Sequence, residues 1–390
     1  MHQVNLIDDE KFYGKHNTFG NLLLQPGVNH TDTNRGQMFS SHIEQAIQID
    51  QPNPPLWFTR FEDQWSKYSS GYLELDGKWK VLVKINKNDY NYVMIVKKIA
   101  NSKKEKIDMK NGKEPKFKVG TYHVIFRTEA VWLTEKYGYK YNNEIIDSLE
   151  KGDVIEDEIL YKDKNRDEDM NFQYGRNLNA VYLSYAGLTT EDACVVSKSV
   201  TEKMASYFVK KIQVSLNTND ILTNMYGNKE FYKAFPDIGE EIKGGLLCSS
   251  RRIHYQTAPI SLSNMMKPRV GDTSYRAHGK VIDIKVISNI DNPDEELEYN
   301  YNKQIKKYYK EERNYYKNFI KYVEPIVSDK KLIVSSDLVY YYNRYKMLMD
   351  PKNKFRVDKN LFDHLIIEFM VFEKSPLVVG SKLAGRYGRK

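Results

Sequence analysis

Three sets of residues have the types and spacing to handle a phosphate chain. The first is GSKLAGRYGRK at 380–390, where Lys382, Arg386, Arg389 and Lys390 sit among glycines. Glycine lets backbone amides approach an anion closely, and two lysines eight residues apart add compact positive charge. Gly380 and Gly385 imitate P-loop spacing. However, Arg386 and Tyr387 stand where that motif needs Lys and Ser or Thr, so the P-loop reading is rejected. The second set is Glu191 and Asp192, after AGLTT. In extended backbone they point to opposite faces, one toward a metal–phosphate site and the other toward a structural partner. The third is Arg35, with Asn34 beside it and Gln45 three turns on. The guanidinium fork suits a triphosphate, and the glutamine suits a sugar or base. Taken singly, each set is more simply a solvated loop or a polar helix face, and His42 reads as a packed histidine.

These residues need elements to hold them. Residues 17–50 read as a loop and then a helix, capped by Asp32 or Thr33, with Arg35, Met38, His42, Gln45 and Ile49 on one face. Residues 70–160 read as antiparallel strands, with hairpin turns expected at Asp76-Gly77 and Asn111-Gly112. A glycine-centred pattern recurs at 149–160, 236–247 and 376–388 and reads as strand–turn pieces of a β-barrel. Residues 177–204 read as strand, loop, strand and helix, with Ser199 and Glu202 as a capping box. The clearest helix spans 293–323, starting at Asn292 and Pro293 and ended by Pro325. Its apolar stripe is Ile305, Tyr309, Tyr316, Phe319 and Val323. Lysines cover the remainder, which reads as a solvated face.

Composition narrows the classes. The chain has 390 residues, 41% of them hydrophobic, enough for two or three cored domains. No apolar run reaches membrane-span length, and the N-terminus has no signal pattern. Cys194 and Cys248 are the only cysteines and form no CxxC, which argues for a reducing compartment without disulfides or zinc. A net charge of +8 suits a polyanionic partner.

Order and company make the three sets specific. HTDTNRGQMFSSHIEQAI (30–47), GRNLNAVYLSYAGLTTEDACVVSKSV (175–200), PDIGEEIKGGLL followed by GKVIDIKV (279–286), and the terminal GSKLAGRYGRK occur in this order. They resemble the ordered blocks of the β (second-largest) subunit of multisubunit DNA-directed RNA polymerases. The second block is the strongest match. The last is similar to that family's G-D-K-[ML]-A-G-R-H-G-N-K, with Ser381, Tyr387 and Arg389 replacing its Asp, His and Asn.

The resemblance implies roles. Lys382 and Lys390 match lysines that contact the RNA 3′ end and the incoming NTP, with Arg386 in the same loop. Glu191 and Asp192 match an acidic pair near the second Mg2+ and the nucleotide phosphates. Arg35, beside Asn34, matches an arginine reaching the triphosphate, and Gln45 a glutamine beside the RNA. The primary Mg2+ ligands, an aspartate triad, belong to the family's other large subunit, so a β′-type partner is implied and the chain alone is expected to be inactive. The missing flanking family regions imply a split β subunit, like those of large DNA bacteriophages.

The expected fold is α+β, rich in antiparallel strands, with a double-psi β-barrel implied by the resemblance and one long amphipathic helix at about 293–323. The expected divisions are an N-terminal segment and helix (1–60), a strand-rich region (61–170), barrel core with the Glu-Asp loop and a short flap (171–290), the basic helix (291–325), and a return to the barrel (326–390). Expected partners are β′-type subunits, the remaining β pieces, template DNA, RNA transcript, NTPs and a promoter-specificity factor, with no membrane. The expected location is the cytoplasm, that of the host for a viral source, or the virion. The rival reading is a non-catalytic nucleic-acid-binding protein with a polymerase-like barrel.

Overall fold

The computed structural model describes residues 22–45, 49–62, 73–88, 91–127, 139–141, 143–163, 173, 175–217, 220–252, 266–288, 303–350 and 365–385. Helix α1 (Thr33–Gln45) comes first. Five strands follow, β1 (Leu73–Asn86), β2 (Tyr92–Ala100), β3 (Tyr122–Arg127), β4 (Tyr139–Tyr141) and β5 (Val154–Asp163). They form one antiparallel sheet in the order β3-β2-β1-β5-β4. Helices α2 (Lys103–Lys110) and α3 (Asn143–Ser148) lie in its connections.

Alternation along β2 explains why this sheet is covered twice. Met94 and Val96 face one core with Trp79, Val81, Ile125 and Ile146. Val93 and Ile95 face the other, with Tyr315, Phe319, Leu338 and Tyr345. Successive strand residues point to opposite faces, so an unbroken apolar run needs cover on both. The second cover is a helix pair, α5 (Lys303–Ser328) and α6 (Ser336–Met349).

Between α3 and α5 the chain forms the short helix α4 (Lys198–Lys203) and then β6 (Ser206–Leu216), β7 (Asp220–Leu222), β8 (Leu246–Arg252), β9 (Thr273–Arg276) and β10 (Lys280–Ser288). After α6 comes β11 (Leu365–Ser375), which pairs antiparallel between β10 and β6. Strands β7, β8 and β9 make a third sheet. Val214, Phe235, Leu247, Cys248, Ile284, Ile367 and Phe369 fill the core shared by these two sheets. Ile305 and Tyr308 of α5 enter the same core, so one helix packs on two cores.

Several sequence expectations are corrected. Asp76-Gly77 is no hairpin turn. It lies inside β1 at a bulge opposite β5, and the Gly77 amide donates to Asp157 Oδ1 at 2.6 Å. Gly77 has φ 87°, and a Cβ there would sit 2.2 Å from the Ala100 carbonyl, so only glycine fits. Asn111-Gly112 ends helix α2 instead of turning a hairpin. Gly112 (φ 79°) donates to Met109 O and Lys113 to Asp108 O, which is a Schellman closure.

Residues 176–196 form no strands, and α4 starts after Ser197 at its N-cap position without a side-chain cap bond, so Ser199 and Glu202 lie inside the helix and form no capping box. The third glycine pattern leads into a loop, not a strand. Pro325 does not end α5, which continues to Ser328 because Ile326 and Val327 pack against the helix-pair core and hold the last turn. The buried stripe of α5 is Ile305, Tyr308, Glu312, Tyr315, Phe319 and Val323, leaving Tyr309 and Tyr316 on its flanks. The expected start of this helix at Asn292 and Pro293 lies outside the described residues.

Candidate functional site

Helix α1 exists because Phe39, Ser40 and Ile43 form a buried face, with Leu24 packed on it. The Gly36 amide donates to Asp32 O at 2.9 Å and starts the helix. The opposite face carries Asn34, Arg35, Met38 and His42, all exposed. His42 is therefore not packed as expected. Gln45 is the last helical residue, and its side chain lies outside the described residues.

The acidic pair lies in a chain of tight turns. Leu188 N donates to Tyr185 O at 2.8 Å, and Ala193 N to Thr190 O at 3.1 Å. Thr189 and Thr190 hydroxyls donate to Leu183 O and Gly187 O. Glu191 (φ 51°) and Asp192 (φ 71°) are both left-handed, and both are exposed. The extended geometry expected from the sequence is replaced by a turn. Two consecutive non-glycine residues in this region cost about 1–3 kcal/mol each, and such strain clusters at functional sites.

The apolar residues upstream are uncovered. Val181 is 78% and Tyr182 88% exposed, and Leu183, Tyr185 and Leu188 are exposed as well. Among the described residues, the amides of 178–184 donate no hydrogen bond.

The terminal loop leaves β11 at Ser375. Leu377 N donates to Thr201 O at 3.1 Å, and Ser381 N to Val378 O at 3.0 Å, around Gly380 at φ 90°. Lys382 is exposed on this loop, whereas Arg386 and Lys390 lie outside the described residues.

The chain just beyond α1, the start of β6 and the end of β11, far apart in sequence, are tied to one another. Ser206 bridges Ile49 just beyond α1, and pairs with Ser375 at the end of β11. Asp50 N donates to Ala205 O at 2.7 Å. The Asp50 carboxylate accepts from Tyr207 Oη at 2.5 Å and from Lys374 Nζ at 2.6 Å. The Lys374 and Tyr207 hydrogen bonds hold the Asp50 carboxyl below its ordinary range, and the bond to Asp50 holds the Lys374 ammonium above its own. Partial burial, followed by the hydrogen bond to Asp50, pushes the Tyr207 hydroxyl up.

A second tie lies upstream. Asn53 N donates to Gly175 O at 2.7 Å, Arg176 Nη1 to Gln51 O at 2.7 Å, and Asn177 Nδ2 to Pro54 O at 2.9 Å. Leu56, Trp57 and Phe58 follow this tie on one strand of the chain and the uncovered 178–188 segment follows it on the other, the two running in opposite directions from an antiparallel bridge at Asn53 and Gly175. Sequence reasoning missed Asp50, Tyr207 and Lys374. Asp50 and Lys374 are 324 residues apart and belong to no motif, so no local signal marked them.

No family model matches the sequence. The chain is 23% identical over 452 aligned residues to the DNA-directed RNA polymerase subunit beta of Karelsulcia muelleri (strain GWSS), an alignment covering 94% of this chain and 32% of that protein. It is 24% identical over 233 residues to the subunit of the same name in Acholeplasma laidlawii (strain PG-8A), covering 55% of this chain and 17% of the relative. The chain thus spans about a third of the first relative's length and less of the second. These similarities support a β-type RNA polymerase subunit.

Proposed function

We propose that this chain is a β-type, catalytic-side component of a multisubunit DNA-directed RNA polymerase, and that it helps to bind NTP, the RNA 3′ end and the RNA–DNA hybrid. The observation that supports the reading is the tie at the start of β6 between the chain just beyond α1 and the end of β11, from which the segments bearing Arg35 and Lys382 lead off, the Glu191-Asp192 turn preceding β6 in the chain. Nucleotidyl transfer demands positioning and charge stabilisation more than covalent chemistry. In this reading Arg35, with Asn34, grips the triphosphate as a fork. Lys382, Lys390 and Arg386 supply charge at the phosphates and the RNA end, and Gln45 contacts the RNA.

Magnesium, when bound, neutralises charge on the transferring phosphoryl group. Among the described residues no three His, Cys, Asp or Glu side chains gather as a metal site. In this reading Asp192, with Glu191 beside it, shares an ion whose main ligands come from a β′-type partner. The uncovered 178–188 segment supports completion of the fold by further β-type sequence, joined to this chain or separate, and the double-psi barrel belongs to that completed form. The split, phage-like arrangement, the remaining partners (DNA, RNA and a promoter-specificity factor) and a cytoplasmic or virion location are part of the same proposal. Among the described residues no helix is long and apolar enough to cross a membrane.

A second reading, a nucleic-acid-binding protein without catalysis, is favoured by α5. There Lys303, Lys307, Lys310, Lys317 and Lys321 are exposed while Glu312 is turned inward. Primer extension on an RNA–DNA scaffold decides between them, using the chain co-purified with its native partners. Lys382→Ala should slow extension by about a hundredfold in an intact complex. Equal rates would remove the loop from the reaction, and scaffold binding without extension would favour the second reading.

A further inference from the structure

We propose that Asp50 is a positioning residue that fixes the Lys382 loop and the Arg35 helix to a common base. The proposal rests on the polymerase reading for the identity of the reaction, but not for the clamp itself. Asp50 engages three places at once. Its amide holds Ala205 at the α4–β6 junction, one carboxylate oxygen holds Tyr207 of β6, and the other holds Lys374 near the end of β11. Each neighbour leads directly into a candidate site segment. Asp50 follows α1, Ala205 follows the Glu191-Asp192 segment and α4, and Lys374 precedes the Lys382 loop.

The acceptor geometry is prepared by packing. Lys374 and Tyr207 are partners in register across β11 and β6, and the Lys374 ammonium lies 5.5 Å over the Tyr207 ring. That ring stacks on Phe372 at 5.3 Å and 13°. Phe372 and Lys374 are two residues apart on β11 and so share a face, which presents both donors to one carboxylate. Beyond Ser375 the loop is anchored to the rest of the chain by Leu377 N on Thr201 O, and Thr201 belongs to α4, directly before Ala205 and β6. Loss of the Asp50 charge leaves this anchor without its brace. A displacement of about an ångström at groups that hold a reacting phosphate is enough to cost about a hundredfold in rate.

The test uses the chain assembled with its partners. Asp50→Asn removes the charge and one of the two acceptor oxygens while keeping the shape, and Asp50→Asn combined with Lys374→Gln restores a neutral hydrogen bond. The expected result is amide hydrogen exchange faster by about tenfold at Leu377 and Ser381, with β1 and β2 unchanged. NTP KM should rise by about tenfold with assembly intact, and the double variant should recover both. Unchanged exchange, or faster exchange spread through β1 and β2, overturns the clamp. If the wild-type complex extends no RNA, the polymerase reading fails, and the exchange measurement still decides the role of Asp50.

Discussion

His123 shows how far a single side chain departs from its solution chemistry. Its ring is buried against Phe117, with centroids 4.8 Å apart, and Nδ1 hydrogen-bonds to Ser335 Oγ at 3.0 Å. Burial, reinforced by the charge of Lys116, pushes its pKa down to about 3. Asp337, 4.0 Å away with a half-exposed side chain, is too well solvated to offset this. The unfolded chain binds this proton from about pH 6.5 downward, whereas the fold resists it until about pH 3. Stability is therefore fully present above pH 6.5 and falls between the two values, by about 2 kcal/mol from pH 6.5 to pH 5. Urea midpoints across this range should drop in the wild type and flatten in His123→Leu. Parallel profiles for the two proteins would remove His123 as the cause.

Element α2 depends on a buried ion pair at its first turn. Ser102 and Glu105 cap each other's backbone amides, and the Glu105 carboxylate also accepts from Lys98 Nζ at 2.5 Å. Lys98, 1% exposed, further donates to Phe117 O at 2.9 Å. Removing one partner leaves a charge without its counterion in the core, so Glu105→Ala should cost about 3–5 kcal/mol in urea unfolding. The apolar pair Lys98→Met with Glu105→Leu should recover most of that loss. A Glu105→Ala protein within about 1 kcal/mol of wild type would mean that water reaches the pair. Helix α5 teaches a related lesson, since local packing of Ile326 and Val327 carries it past Pro325.

For the whole molecule, the uneven burial is the main feature. Among the described residues the apolar cores of the sheets and helices are buried, yet 178–188 and Leu56–Phe58 leave large side chains in solvent. An exposed apolar stretch whose amides at 178–184 donate no hydrogen bond among the described residues is a poor surface for a free protein and a good one for a partner to cover. Limited proteolysis of the isolated chain should cut first within 176–196, and assembly with the proposed polymerase partners should protect it. Equal cleavage in both states would show that no partner covers this segment.

The sequence by itself marked Gly77 and Gly112 as turning points of the backbone, the helix now seen at 303–328 as amphipathic, and residues of the types that suit phosphates. The α+β class followed from those local patterns, as did the burial of Ile305, Phe319 and Val323 on α5. Only the tertiary structure decided how the glycine signals were used. Asp-Gly became a bulge inside β1, and Asn-Gly a helix cap, because φ preference is local while strand pairing is not. Likewise the residue types of Arg35, Asp192 and Lys382 were legible, but the Asp50 tie beneath them was not. Asp50, Tyr207 and Lys374 meet only through the pairing of β6 with β11, and no short-range property of the chain marks such a contact.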